Sequence, residues 1–161
     1  MGIKLNTSDL FDMAIQVEKD AQAFFKEAAS YYASPQARQM LLDLALMEAE
    51  HEAIFGALKD RLVEEGRGGD PIVPKAPQDI PLISAGVFVA GIHRQLAEQF
   101  TGREKPHEIV SRAIQFEKDT IVFLVDLKNF LDTPSDKAHI DSIIREELGH
   151  VVKLVGHLGQ T

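Results

Sequence analysis

Two short stretches carry residue types that hold metal ions. Glu48-Ala-Glu-His51 and Glu147-Leu-Gly-His150 each set a carboxylate and an imidazole three positions apart. On an α-helix that spacing is about 60° of rotation and about 4.5 Å of rise, so both side chains leave one face and can reach one point. A single Glu-x-x-His is weak evidence. The chain even holds a decoy, Glu104-Lys-Pro-His107, where Pro106 disfavours a continuous helix. The context of the other two pairs is what gives them weight. Glu18 lies 30 residues before Glu48, and Glu117 lies 30 before Glu147. The two sets superpose at an offset of 99; Glu18-Lys19-Asp20 repeats as Glu117-Lys118-Asp119, and Phe24 matches Phe123. This is an internal duplication of a helical hairpin, each copy giving one Glu and then one Glu-x-x-His.

The six residues also interrupt apolar stripes. Glu18 lies in line with Ala14, Ala21 and Phe25; Glu48 and His51 break a Leu/Phe stripe; Glu117 lies with Ala113, Ile121 and Leu124; Glu147 and His150 break Ile140, Ile143 and Leu154. Four carboxylates converging in a core repel one another and lose several kcal/mol each in desolvation, on the order of what buried unpaired charges cost. Two divalent cations balance four carboxylate charges, and two neutral imidazoles complete the donor set. Mixed Glu and His donors suit iron, manganese or zinc better than calcium or magnesium. The metal ligands proposed from the sequence are therefore Glu18, Glu48, His51, Glu117, Glu147 and His150, with no catalytic residue beyond them.

Four long helices must position these groups. The first is expected from about Ser8, a good cap, to about Tyr32, with Leu10, Ala14, Val17, Ala21, Phe24, Phe25 and Ala28 inward. The second starts at Ser34-Pro35 and runs to about Glu65, where GRGG at 66–69 stops it. Residues 66–81 hold four of the seven prolines and read as an extended loop. A short extra helix is expected from about Leu82 to Phe100, a third long helix from near Pro106 to Leu131, and a fourth from near Ser135 to Leu158. The long middle link and two short ones give an all-α, ferritin-like four-helix bundle of two helical hairpins joined by a long crossover. The whole chain, 1–161, reads as one domain: hairpin 8–65, crossover 66–105, hairpin 106–158.

Composition removes competing classes. With no cysteine there are no disulfides, thiolate nucleophiles or sulfur-ligated metal sites. A net charge of −8 argues against a nucleic-acid partner, which calls for a basic footprint. The longest apolar run, near Ile83 to Ile92, is far short of the ~20 residues of a membrane helix, and the N-terminus does not read as a signal peptide. The expected location is the cytoplasm.

The phrases AIQVEKDAQAFFKEAA, LALMEAEHEAIF, AIQFEKDTIVFLVDLK and IIREELGH resemble the four helix motifs of the rubrerythrin branch of the ferritin-like superfamily. The likeness spans most of the chain outside about 66–105. It implies a diiron site in which Glu18 and His51 bind one iron, Glu117 and His150 the other, and Glu48 and Glu147 bridge them. It further implies peroxidase or ferroxidase chemistry with H₂O₂ or O₂, an external electron donor, and a homodimer. An iron-storage or iron-handling protein is the alternative. The sequence departs from the family in having no cysteines of a rubredoxin domain and in carrying Thr120 where an additional helix-three glutamate is expected. A tyrosine expected further along that helix is replaced by Val125. The six remaining ligands equally match the site of bacterioferritin.

Neighbouring residues have plainer readings. Glu50, Glu52 and Glu146 fall off the inward stripes and read as solvated charges. Asp20 and Asp119, ~200° around the helix from a ligand, read as capping or surface groups. His157 reads as a helix-end residue favoured by the C-terminal dipole, and His93, His107 and His139 as surface residues. Phe24, Phe25, Phe116 and Phe123 read as core.

Overall fold

The computed structural model describes residues 5–69, 71–72, 100–101 and 103–158. Four α-helices make up the described structure: α1 Thr7–Ser30, α2 Pro35–Glu64, α3 Pro106–Phe130 and α4 Pro134–Leu158. The expected short helix, Leu82 to Phe100, lies outside the described residues except for Phe100.

Local chemistry sets the helix ends. The cap of α1 is Asn6, two residues before the expected Ser8, because Asn6 and Asp9 satisfy each other: Asp9 N–H donates to Asn6 Oδ1 at 2.9 Å, and Asn6 N–H donates to Asp9 Oδ2 at 2.8 Å. That reciprocal box outcompetes Ser8, which has no such partner three residues on. Ser34 caps α2, accepting from Ala37 N–H at 3.4 Å, and Pro35 starts the helix where no amide donor is required. Gly66 ends it in the left-handed region at φ 72°, which lets Arg67 N–H return to Leu62 O at 2.8 Å. Pro106 opens α3 after Lys105, and Glu108 accepts from Lys105 N–H at 2.7 Å. Glu104 thus lies outside the helix, and the decoy Glu104…His107 pair never shares a helical face.

Each hairpin is antiparallel, and so are the contacts between hairpins. Tyr32, at the end of α1, donates its hydroxyl to Pro106 O at the start of α3, 2.7 Å away. Arg61, near the end of α2, pairs with Asp136 at the start of α4. The hairpins are therefore related by an approximate twofold axis perpendicular to the bundle, which exchanges the two copies of the sequence duplication. The residues expected inward on α1 are all buried, as are Leu41, Leu44, Phe55, Leu58 and Leu62, the Leu/Phe stripe of α2 that Glu48 and His51 interrupt.

The apolar core falls into two clusters. One holds Phe24, Phe25, Leu41, Leu44, Phe116 and Leu154; the other holds Phe11, Phe55, Leu58, Phe123, Leu124 and Ile140. Phe24 and Phe123 are duplicates, yet they lie in opposite clusters because the twofold axis exchanges the two ends. Between the clusters is a polar layer.

Candidate metal centre

That layer consists of Glu18 from α1, Glu48 and His51 from α2, Glu117 from α3, and Glu147 and His150 from α4, each no more than 1% exposed. One helix turn of spacing aims Glu48 with His51, and Glu147 with His150, at the bundle axis. α1 and α3 contribute one carboxylate each from the opposite side. The six fall into two overlapping groups: Glu18, Glu48, His51 and Glu147, and Glu48, Glu117, Glu147 and His150. In each group the donor atoms lie within 4.8 Å of one another. Glu48 and Glu147 belong to both groups, the same partition that the family resemblance implies.

Both shared carboxylates span the two imidazoles. Glu147 places Oε1 2.9 Å from His51 Nδ1 and Oε2 2.9 Å from His150 Nδ1. Glu48 places Oε2 3.1 Å from His51 Nδ1 and Oε1 3.1 Å from His150 Nδ1. Glu117 Oε1 adds a contact of 3.4 Å to His150 Nδ1. The two rings are stacked with centroids 5.8 Å apart and an interplanar angle of 21°.

The electrostatics are those of a cluster short of positive charge. Burial raises the Glu18 carboxyl well above its ordinary range, and the charges of Glu147 and Glu48 add to this. Burial and Glu147 likewise raise Glu117. Burial alone would depress His51, but its close contact with Glu147 and its hydrogen bond to Glu48 outweigh burial and hold the imidazole at about 10. For His150 the same burial is outweighed by Glu117, Glu147 and Glu48, which hold it at about 12. Glu147 is driven down to about 2, because its contacts with His150 and His51 outweigh burial. The metal-free site therefore balances itself with protons on imidazole and carboxyl.

Much of the layer remains without hydrogen bonds. Both oxygens of Glu18, both of Glu147, one each of Glu48 and Glu117, and both ring nitrogens of His150 lack a hydrogen-bond partner among the described residues. Buried polar atoms are nearly always satisfied. Three carboxylate oxygens approach His150 Nδ1 closely, yet none aligns to bond it. Donor atoms that crowd one another without pairing fit cations placed among them, and the set of four carboxylates and two imidazoles fits two divalent ions.

Other residues separate clearly from this cluster. Glu50, His107 and His139 are exposed. Glu52 meets Gln22 at 2.6 Å and Lys19 at 3.6 Å. Asp20 and Asp119 are half-buried and accept from Gln16 and Gln115, each at 2.8 Å. His157 lies against the Tyr32 ring, with centroids 6.0 Å apart. His93 lies outside the described residues. Thr120 is buried but donates its hydroxyl to Phe116 O at 3.1 Å, within its own helix. Val125 is 41% exposed, so that position faces away from the layer. The reading of Glu146 as a merely solvated charge requires correction. Its side chain is 46% exposed, yet its Oε2 lies 3.2 Å from His51 Nε2. Helical periodicity could not reveal this, because the contact crosses from α4 to α2.

Comparison with known proteins bears on the fold. No family model matches the chain, and no curated protein matches it. A crystal structure from Thermotoga maritima, of a protein assigned as a ferritin-like diiron-carboxylate protein, superposes with a TM-score of 0.71. The alignment covers 97% of this chain and 96% of that one at 22% identity. The chain has the ferritin-like fold.

Proposed function

We propose that this protein binds two iron ions in the polar layer and uses them in redox chemistry with O₂ or H₂O₂, as a peroxidase or ferroxidase of the rubrerythrin type. The observation that carries the reading is the double span of Glu48 and Glu147, each with one oxygen on either imidazole. Glu18 and His51 would complete one position, Glu117 and His150 the other. The Thermotoga protein's assignment as a diiron-carboxylate protein supports the choice of iron.

When bound, the iron pair would supply the electron transfer to the oxidant. The chain's own residues supply the rest. Four carboxylates balance two divalent charges, two Nδ1 atoms aim inward, and the apolar clusters on either side exclude bulk water. Phe24, Phe116 and Phe123 belong to those clusters. With no cysteine in this chain to carry electrons onward, a separate donor, or ferrous iron itself, would reduce the site between turnovers.

Thr120 bears on the type of chemistry. Its hydroxyl is tied to Phe116 O, so no seventh carboxylate is offered at that position. This favours a site that keeps both histidines in both oxidation states. It also lends weight to the second reading, iron storage or handling, in which the site oxidises iron for a shell of many copies. We expect the smaller assembly, a homodimer.

The test is anaerobic ferrous loading followed by metal analysis, then single-turnover mixing with O₂ and with H₂O₂. Two irons per chain and rapid oxidation by either reagent are expected. One ion or none per chain would overturn the reading. Light scattering then separates a dimer from a storage shell.

A further inference from the structure

We infer that Glu146 is a positioning residue for His51 and makes the two halves of the metal centre unequal. The inference rests on the two-metal reading above. His51 presents Nδ1 to the shared carboxylates and turns Nε2 to Glu146 Oε2 at 3.2 Å. Glu146 reaches it from α4, across the bundle, at the boundary between the buried layer and solvent. His150 presents Nδ1 to the same shared carboxylates, but its buried Nε2 meets no hydrogen-bond partner among the described residues.

The sequence duplication shows where the difference arises. The offset of 99 that superposes the six ligands places Met47 opposite Glu146. Met47 is a neutral thioether whose sulfur lies 3.9 Å from Lys153 Nζ. One imidazole therefore has a carboxylate behind it, and its duplicate has none among the described residues.

That carboxylate has two physical effects on a ligand. Accepting the remote N–H fixes the tautomer with Nδ1 free to bind a cation, and it holds the ring plane. It also raises the basicity of Nδ1, which strengthens the bond to a divalent ion. Loss of such a partner typically costs about 10–100-fold in metal affinity. The half containing Glu18 and His51 should therefore fill first, and the half containing Glu117 and His150 second.

The experiment is a titration of the metal-free full-length protein with cobalt(II), followed by visible absorption and by calorimetry. Wild type is expected to show two affinities separated by about 10–100-fold. Glu146→Gln, which keeps an acceptor but loses the charge, should weaken the tighter step by about tenfold, and Glu146→Ala by more. Both should leave the weaker step within about twofold. In a His51→Gln background, Glu146→Ala should change nothing further, whereas a purely structural role would persist there. Two indistinguishable steps in wild type, or an undiminished effect of Glu146→Ala without His51, would overturn the inference while leaving two-metal binding intact. Absence of cobalt binding would overturn the two-metal reading itself.

Discussion

Replacing Glu18 by Leu should make the metal-free protein more stable and the metal-loaded protein worse at its task. Glu18 is fully buried, and neither carboxyl oxygen finds a hydrogen-bond partner among the described residues. Its helical neighbours Ala14, Val17, Ala21 and Phe25 are buried and apolar. A buried polar group without a partner costs about 1–3 kcal/mol. Exchanging buried ionic groups for apolar ones of similar volume often stabilises by about 1–4 kcal/mol. At about 2–4 °C per kcal/mol for a chain of this size, the melting temperature should rise by roughly 2–15 °C. The assay is calorimetric or circular-dichroism melting in the presence of chelator. Excess metal should reverse the order. Ligand at about 100 times its dissociation constant adds about 2.7 kcal/mol per site, and the variant forfeits most of this at one position. A lower melting temperature for chelated Glu18→Leu than for chelated wild type would refute the reasoning, since Glu18 would then serve the fold rather than a cation.

The remaining expectations concern the bridge, the pH dependence and the oxidant. Glu48→Ala or Glu147→Ala should lower occupancy at both positions, whereas Glu18→Ala should largely spare the Glu117–His150 position; equilibrium dialysis with ferrous iron distinguishes the two patterns. His51 at about 10 and His150 at about 12 keep protons that the unfolded chain releases near 6.5, and the raised Glu18 and Glu117 act in the same direction. Metal-free stability should therefore fall as pH rises from about 7 to 9, by about 1.4 kcal/mol per pH unit for each proton retained. Urea midpoints at several pH values measure this, and an upward trend would contradict it. Glu147, at about 2, works oppositely, and its stabilisation is lost as pH falls from about 4.5 toward 2. Metal must displace the retained protons, so apparent affinity should rise with pH over the window in which metal-free stability falls, as competition against a chelator would show. Thr120→Glu should shift single-turnover preference from O₂ toward H₂O₂; if wild type already favours peroxide by orders of magnitude and the variant is unchanged, the role assigned to this position fails.

The amino-acid sequence by itself determined the long helices and singled out the proposed donor set. Helical period, caps and prolines placed four long helices to within a few residues of their observed ends. The offset of 99 singled out Glu18, Glu48, His51, Glu117, Glu147 and His150 against the decoy at Glu104–His107, because duplication and the i, i+3 rule are properties of the chain itself. The same local logic misplaced the cap of α1, where Asn6 and Asp9 bond each other more effectively than Ser8 can. Tertiary structure decided everything that depends on how helices rotate and stagger against one another. It determined that Glu48 and Glu147 each span both imidazoles, that Phe24 and Phe123 end in opposite apolar clusters, and that Val125 faces outward. It also turned Glu146 from a surface charge into the partner of His51. Periodicity fixes a residue's direction only relative to its own helix axis; which group meets it across the bundle depends on the packing of two apolar clusters around a polar layer, and that is a property of all four helices together.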